Sequence, residues 1–327
     1  MRLAKSAFLA STILATSSLA AQADIKVMAS IKPIHSLVAS VMQGVSEPDL
    51  IVEGAASPHT YALKPSQARK LQNTDVVFWV GHELEAFLEK PLEAIASDAK
   101  SVELIDAHGL VKLAFREGGA FDDHGHDDHD DHAEDKHDDH DDHDHDDHAD
   151  HNHGEFDPHI WLDPVNAKAL VHEIEEVLSA ADPANAETYE ANAMATMAKL
   201  DELTEEISVQ LSSVKDKGFI VFHDAYQSFE KRFGLTAVGS ITVSPEVMPG
   251  AERIHDLQDK VQDLSATCVF SEPQFEPKLV ATVTEGTNAG TGVLDPHGAT
   301  IEDGPELYFT LLRNMANSFE DCLSKAE

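Results

Sequence analysis

The chain has 327 residues, of which 42% are hydrophobic, so it is long enough for two domains that each bury a core. Its formal net charge at pH 7 is −37, from 60 acidic side chains against 23 lysines and arginines. Such an acidic surface repels nucleic acids and anionic lipids and attracts cations, which argues strongly against nucleic-acid binding.

Residues 1–23 carry the pattern of a secretory signal peptide. Arg2 and Lys5 precede an apolar run at 7–15, and a stretch of small residues then ends at Ala23. The alternative is a membrane anchor, but the apolar run is shorter than the about 20 residues that span a bilayer. We therefore expect export with cleavage after Ala23. The segment has no cysteine for lipid attachment, which favours a soluble periplasmic protein.

Residues 24–181 alternate short apolar runs with helical patterns, which predicts a first α/β lobe with a parallel sheet. The most continuous apolar run, at 75–80, is typical of a strand covered on both faces. The predicted strands are at 25–30, 50–52, 75–80 and 101–105, and the predicted helices at 32–42, 65–73, 84–96 and 165–180.

A long helical linker is predicted over residues 182–216. Asp182 and Pro183 form an N-cap and first-turn proline pair, and residues 184–214 contain neither proline nor glycine. A helix of that length spans about 45 Å, which suits a strut between two lobes.

Residues 217–327 repeat the alternation and are predicted to form the second lobe. The predicted strands are at 219–222, 237–241, 267–270 and 292–294, and the helices at 225–232, 251–264, 277–285 and 305–323. The predicted fold class is therefore α/β, with two lobes that each hold a mainly parallel sheet flanked by helices. One long helix joins the lobes.

A histidine- and aspartate-rich tract interrupts the first lobe at 122–153. It lacks the apolar residues needed to offset the entropy of ordering, so we predict a disordered loop over 121–155. Such a segment can collect cations weakly, and the alternative is a solvated spacer. The tract holds eleven of the twenty histidines: His124, His126, His129, His132, His137, His140, His143, His145, His148, His151 and His153.

The chain has two cysteines, Cys268 and Cys322, both in the second lobe. In an exported protein two cysteines most simply pair, whereas two separate buried thiols are the alternative. A disulfide closing a loop of this length is worth about 4 kcal/mol in the chain-entropy model.

Three histidines outside the tract lie where an α/β protein presents ligand-binding groups. His59 and His223 follow predicted strands, and His159 lies in a compact turn-bounded segment directly after the tract. Three imidazoles suit zinc, and a carboxylate or a water completes the tetrahedron. Asp295 also follows a strand and is a candidate carboxylate, with a turn-forming role before Pro296 as the alternative.

The remaining histidines outside the tract have weaker contexts. His172 and His255 lie among charged residues in predicted helices and are interpreted as solvated, and His297 is close enough to Asp295 to contact the ligands. The others are His35, His82 and His108. For each single histidine, a structural or surface role is the alternative to metal binding.

An enzyme is the competing functional class, because three histidines with an open position also form hydrolytic zinc sites. The chain has neither an H-E-x-x-H nor a G-x-S-x-G motif. Asp224 is the one candidate base, but an aspartate beside a histidine also serves to orient it. A metal-buffering or adhesin-like surface protein is a third hypothesis.

Three segments resemble the zinc-specific, ZnuA-type members of the metal-binding receptors that serve bacterial ABC importers. They are Gly54-Ala-Ala-Ser-Pro-His-Thr-Tyr-Ala-Leu-Lys-Pro-Ser66, Asp157-Pro-His-Ile-Trp-Leu-Asp-Pro164 and Phe222-His-Asp-Ala-Tyr226. Leu294-Asp-Pro296, the two cysteines and the position of the histidine-rich insertion also fit, and the resemblance covers essentially the whole mature chain.

The resemblance implies two lobes bridged by one long rigid helix, with the metal in the cleft between them. It also implies His59, His159 and His223 as zinc ligands and Asp295 at the carboxylate position. Some zinc members have Glu before the first ligand, where this chain has Pro58, which leaves Asp295 or a water as the fourth ligand. The implied function is a monomeric periplasmic receptor, not an enzyme, that delivers Zn²⁺ to a membrane permease with its ATPase. The tract would be an auxiliary low-affinity collector or sensor.

Overall fold

The structure is a computed structural model that describes residues 24–116, 156–242, 250–263, 268–275 and 278–325. The predicted signal peptide and the eleven tract histidines lie outside the described residues. Across the described part of the chain, no helix combines the length and apolarity needed to cross a bilayer.

Two four-stranded sheets form the centres of the two halves, and all their strand pairs are parallel. The orders are β2-β1-β3-β4 and β6-β5-β7-β8, so the second sheet repeats the topology of the first. The strands are β1 Val27–Ala29, β2 Asp49–Leu50, β3 Val76–Trp79, β4 Lys100–Glu103, β5 Phe219–His223, β6 Ala237–Thr242, β7 Cys268–Ser271 and β8 Gly290–Val293.

Helices connect the parallel strands and cover the sheets, as parallel pairing requires. The α-helices described are α1 Lys32–Val41, α2 Pro65–Leu71, α3 His82–Ile95, α4 Pro164–Ala181, α5 Ala186–Gln210, α6 Gln227–Phe233, α7 Ala251–Asp263, α8 Lys278–Thr284 and α9 Leu307–Leu323. Strand β3 has all four residues buried, as its apolar run predicts, and β5 has all five buried. The predicted α/β class with two parallel sheets is confirmed.

The long helix between the lobes is α5, which has 25 residues and continues into a 3₁₀ turn at Leu211–Ser213. It contacts elements of both halves. The Asn192 side-chain amide donates to the carbonyl of Val41 at 2.9 Å, and Glu206 pairs with Arg313 at 2.8 Å. The predicted interlobe helix is therefore confirmed, while the predicted domain boundaries stay a prediction.

The segment between β8 and α9 belongs to the second half of the chain but packs on the first. The Trp161 indole donates to the carbonyl of Pro296 at 2.9 Å, and the Tyr308 hydroxyl donates to the carbonyl of Trp161 at 2.6 Å. The Lys32 ammonium donates to the carbonyl of Ile301 at 2.6 Å. These contacts hold the region after β8 and the start of α9 against the first half of the chain.

Cys268 in β7 and Cys322 in α9 form a disulfide, with Cα atoms 6.1 Å apart. The predicted pairing is confirmed. The bond ties the last helix of the chain to a central strand of the second sheet.

Glu85 is a fully buried acid at a break in α3, where its own backbone leaves the helical region at φ −117° and ψ 51°. Its carboxylate accepts hydrogen bonds from the Ser30 hydroxyl and from the backbone N–H groups of Val80 and Gly81. Burial outweighs these hydrogen bonds and raises the pKa of Glu85 to about 7.

Replacing Glu85 with glutamine is expected to remove a pH-dependent loss of stability. Because the pKa is raised in the folded state, the stabilising contribution of the protonated acid is fully present below pH 4.5 and is lost as the pH rises through about 7. At about 1.4 kcal/mol per pKa unit, the loss is about 3 kcal/mol. Urea unfolding of the metal-free chain between pH 4 and about 8.5 measures this loss in the free energy of unfolding.

The control is Glu89→Gln, at an exposed position of the same helix. The free energy of unfolding of the wild type and of this control should fall relative to that of Glu85→Gln as the pH rises. Parallel pH profiles for all three proteins would show that Glu85 does not bind its proton more tightly in the folded state.

Candidate metal centre

The three predicted histidines come from different local structures. His59 lies in a 3₁₀ turn at Pro58–Thr60 that follows β2, and His159 immediately precedes a 3₁₀ turn at Ile160–Leu162. His223 is the last residue of β5, at the carboxyl end of a central strand. Two are thus supplied by the first half of the chain and one by the second.

The structure brings the three imidazoles together in the cleft between the sheets. Their ring centroids are 5.4 Å apart for His59 and His159, 5.6 Å for His59 and His223, and 5.3 Å for His159 and His223. One nitrogen of each ring lies within 4.8 Å of the others, a spacing that a single ion can bridge.

The Nε2 atoms of all three rings are buried, and none has a hydrogen-bond partner among the residues that the structure describes. Buried ring nitrogens normally find a partner, because leaving one unpaired costs about 1–3 kcal/mol. Three unpaired nitrogens around one space therefore fit a shared cation that accepts their lone pairs.

Two buried carboxylates orient two of the rings. Nδ1 of His159 lies 2.7 Å from Oδ1 of Asp157, and Nδ1 of His223 lies 2.7 Å from Oε1 of Glu272. An ionised carboxylate only accepts, so each Nδ1 carries the proton and each Nε2 presents its lone pair to the cleft. This is the usual arrangement behind metal-binding histidines.

The electrostatics favour neutral rings at two of the three positions. Burial lowers the pKa values of His59 and His159, and the charge of neighbouring rings lowers them further. Burial also disfavours charged His223, but the Glu272 carboxylate, together with the charges of Asp224 and Asp157, raises the pKa of His223. Burial raises the pKa of Asp157 to about 6. Protons therefore compete with a metal ion for the ring nitrogens mainly at His223.

Asp295 is not grouped with the three histidines. Its Oδ1 accepts from the backbone N–H groups of His297 and Gly298 at 3.1 and 3.0 Å, and its Oδ2 accepts from that of Ala299 at 2.6 Å. The side-chain amide of Gln274 adds a fourth hydrogen bond, to Oδ1, at 3.1 Å. The carboxylate thus closes the turn after β8, which is the alternative role that the sequence leaves open.

Asp224, the candidate base or orienting group for His223, has a different partner. It forms an ion pair with Arg116, which also bonds Glu230 at 2.9 Å. Successive side chains of an extended segment point in opposite directions, so His223 and its chain neighbour face different surroundings. Glu272 takes the orienting role because it follows β7, which pairs with β5 in the sheet.

Both ends of the segment that contains the tract lie beside the centre. Ala114 and Phe156 form an antiparallel bridge, and the backbone N–H of Asp157 donates to the carbonyl of Leu113 at 2.8 Å. Asp157 contacts His159, and Arg116 contacts the neighbour of His223. The chain therefore leaves and re-enters the described fold next to two candidate ligands.

The weaker histidine candidates lie apart from the cluster, with one exception. His172 in α4 and His255 in α7 are solvent-exposed, as expected, and His35 is buried with Nε2 3.0 Å from the carbonyl of Pro48. His297 is 5% exposed and lies beside Trp161, with ring centroids 5.4 Å apart. Trp161 also contacts His159, so His297 borders the centre.

Comparison with known proteins identifies the family. The ZnuA family, described as the periplasmic component A of the zinc-uptake complex, matches residues 27–322. The chain belongs to the ZnuA family. It is 57% identical over 330 residues to a Brucella suis protein named as the high-affinity zinc uptake system protein ZnuA, with 98% of each chain covered.

Solved structures agree with this ZnuA-family assignment in fold. A crystal structure of ZnuA superposes with a TM-score of 0.73 at 24% identity, covering 92% of this chain and 100% of the other. A zinc-bound deletion mutant of ZnuA has a TM-score of 0.72 at 24% identity, covering 92% and 98%. The family resemblance is therefore confirmed, and the ZnuA family is one of transport components that handle zinc, not of enzymes.

Changing Glu272 to glutamine is expected to weaken zinc binding by about 10-fold or more, as for other partners of metal-bound histidines. The amide keeps the shape of the side chain but removes the negative charge that makes the His223 ring a stronger donor. Competition with a chelator of known zinc affinity measures the change. Glu176→Gln, on the exposed face of α4, is the matched control and should bind as the wild type does. Equal affinities for both variants would contradict the orienting role of Glu272.

Proposed function

We propose that this protein is a periplasmic receptor that captures Zn²⁺ with high affinity and delivers it to the membrane permease of an ABC importer. The observation that carries the proposal is the cluster of His59, His159 and His223, each with one nitrogen within 4.8 Å of the others and each with a buried, unpaired Nε2. The family to which the chain belongs is that of zinc-uptake components, which agrees with an imidazole site.

The donor set suits zinc as the transported substrate. Neutral imidazoles bind Zn²⁺ with nitrogen–metal distances of about 2 Å and without a preferred geometry imposed by the metal. The charge of the ion is offset by Asp157 and Glu272, which lie directly behind His159 and His223. Burying a dication at this site therefore costs little free energy, and the buried site keeps the ion away from water.

The division of ligands between the lobes supports a release mechanism. His59 and His159 are on the first lobe, whereas His223 is on the second, so a small relative movement breaks the coordination. The same interface contains the ion pair of Arg232 with Asp163, 2.7 Å between Nε and Oδ1. We propose that docking to the permease, whose ATPase drives import, shifts this interface and frees the ion.

The histidine-rich tract is proposed to be an auxiliary low-affinity collector or sensor. Support comes from the described segments on either side of the tract, because residues 114–116 and 156–157 lie next to the cleft. A chain tethered at that position presents its imidazoles at a high effective concentration near His159. The tract then raises the local zinc concentration without replacing the cleft site.

A zinc titration by calorimetry distinguishes the cleft from the tract. We compare the full chain, a variant that lacks residues 122–153, and His59→Ala. One tight site is expected to persist in the deletion and to be lost, or weakened by at least about 100-fold, in His59→Ala. The weak binding events should disappear with the tract and remain in His59→Ala.

The opposite pattern would overturn the receptor proposal. If tight binding disappeared with residues 122–153 and were insensitive to His59→Ala, the protein would be a metal buffer. His172→Ala, at an exposed helical position, controls for loss of a histidine as such and should leave the tight site unchanged.

A further inference from the structure

His297 is the fourth histidine that borders the centre, and its ring packs beside Trp161. It is 5% exposed, and its Nδ1 is buried without a hydrogen-bond partner in the described part of the chain. His59, His159 and His223 share this property at Nε2. Nδ1 of His35, away from the centre, is also unpaired, so it is the position of His297 beside the cluster that makes a shared ion relevant to its nitrogen.

The turn that carries His297 is held in place by Asp295. The carboxylate accepts the backbone N–H groups of His297, Gly298 and Ala299, and Gly298 has a φ of +70°, which favours glycine. Moving this carboxylate to an ion would leave three N–H groups without their acceptor. Asp295 therefore serves as a scaffold for the turn that carries His297.

The turn also contacts the opposite lobe beside His159. The Trp161 indole donates to the carbonyl of Pro296 at 2.9 Å. The rings of His159 and His297 lie 5.3 and 5.4 Å from that indole. Burial lowers the pKa of His297, and the charges of His159 and His223 lower it further, so its ring is neutral and within electrostatic reach of both.

We propose that His297 supplies a fourth imidazole nitrogen to the Zn²⁺ ion bound by His59, His159 and His223. This inference rests on the proposed function, because it concerns the same ion. The three-ring cluster in the structure does not include His297. A tetrahedral ion draws its nitrogens to about 3.3 Å from one another, so coordination by His297 requires its side chain to rotate toward the three-ring cluster when the ion binds.

A site of four imidazoles has a different chemistry from one of three imidazoles and a carboxylate. It places no anionic oxygen on the ion, so the dication relies on Asp157 and Glu272 behind the rings for charge compensation. Nitrogen donors alone disfavour the oxygen-preferring Mn²⁺ and Mg²⁺. The proposal thus assigns His297 a part in selecting zinc over hard cations.

X-ray absorption at the zinc edge tests the assignment, because multiple scattering counts imidazoles directly. The full chain is loaded with about half an equivalent of zinc, so that the tightest site fills first. The variants are His297→Gln and His297→Leu, with His172→Gln as the exposed control. Far-UV circular dichroism and thermal unfolding of the metal-free proteins verify folding, and the leucine variant retains an apolar group against Trp161 if glutamine is not tolerated.

The zinc ion in the wild type and in the control should be coordinated by four imidazoles. In the His297 variants it should be coordinated by three imidazoles and one oxygen donor. Chelator competition should show at least about 10-fold weaker zinc binding in the His297 variants. Three imidazoles in the wild type, or unchanged affinity in a folded His297 variant, would overturn the role of His297 while leaving the three-histidine receptor intact. A tight site insensitive to His59→Ala would instead refute the proposed function.

Discussion

The central constraint is a buried cluster of imidazole nitrogens for which the described part of the chain supplies no hydrogen-bond partner. Each unpaired buried nitrogen costs about 1–3 kcal/mol, and the Nε2 atoms of His59, His159 and His223 face one another. The fold maintains this arrangement because the rings are held from behind, by Asp157 and Glu272. A bound cation removes the penalty at all three nitrogens at once. The same feature that lowers stability in the metal-free chain therefore contributes affinity when the ion binds.

Because the proposed ligands come from both lobes, a bound ion would act as a cross-link between them. The interface already contains Arg232 with Asp163 and Arg116 with Asp224, and the ion would add further bonds there. A ligand that binds only the folded state stabilises it by about 2.7 kcal/mol at a free concentration 100 times the dissociation constant. Under the proposed function, ion binding and the stability of the interlobe interface are therefore coupled, so a partner that strains the interface would lower the affinity for the ion.

The fold and the three histidines could be predicted because both follow from strong local patterns. Apolar runs alternate with helical periods across each half, and the long stretch without proline or glycine became α5. Parallel strands place their carboxyl ends at one edge of a sheet, so residues such as His223 meet groups from neighbouring connections. The break of α3 at Glu85 left no comparable signal, since it depends on contacts with β1 and the loop after β3.

The carboxylates were harder to assign, because their partners depend on the direction of each side chain. Asp224 is next to His223 in the chain. However, it is Glu272, directly after the neighbouring strand β7, that contacts the His223 ring. Asp295 stands in an Asp-Pro-x-Gly pattern, which is a turn signature, and in the structure its carboxylate accepts hydrogen bonds from the backbone N–H groups of that turn. Pairing between strands decides which acids reach a site, and turn chemistry decides which of them remain available to bind there.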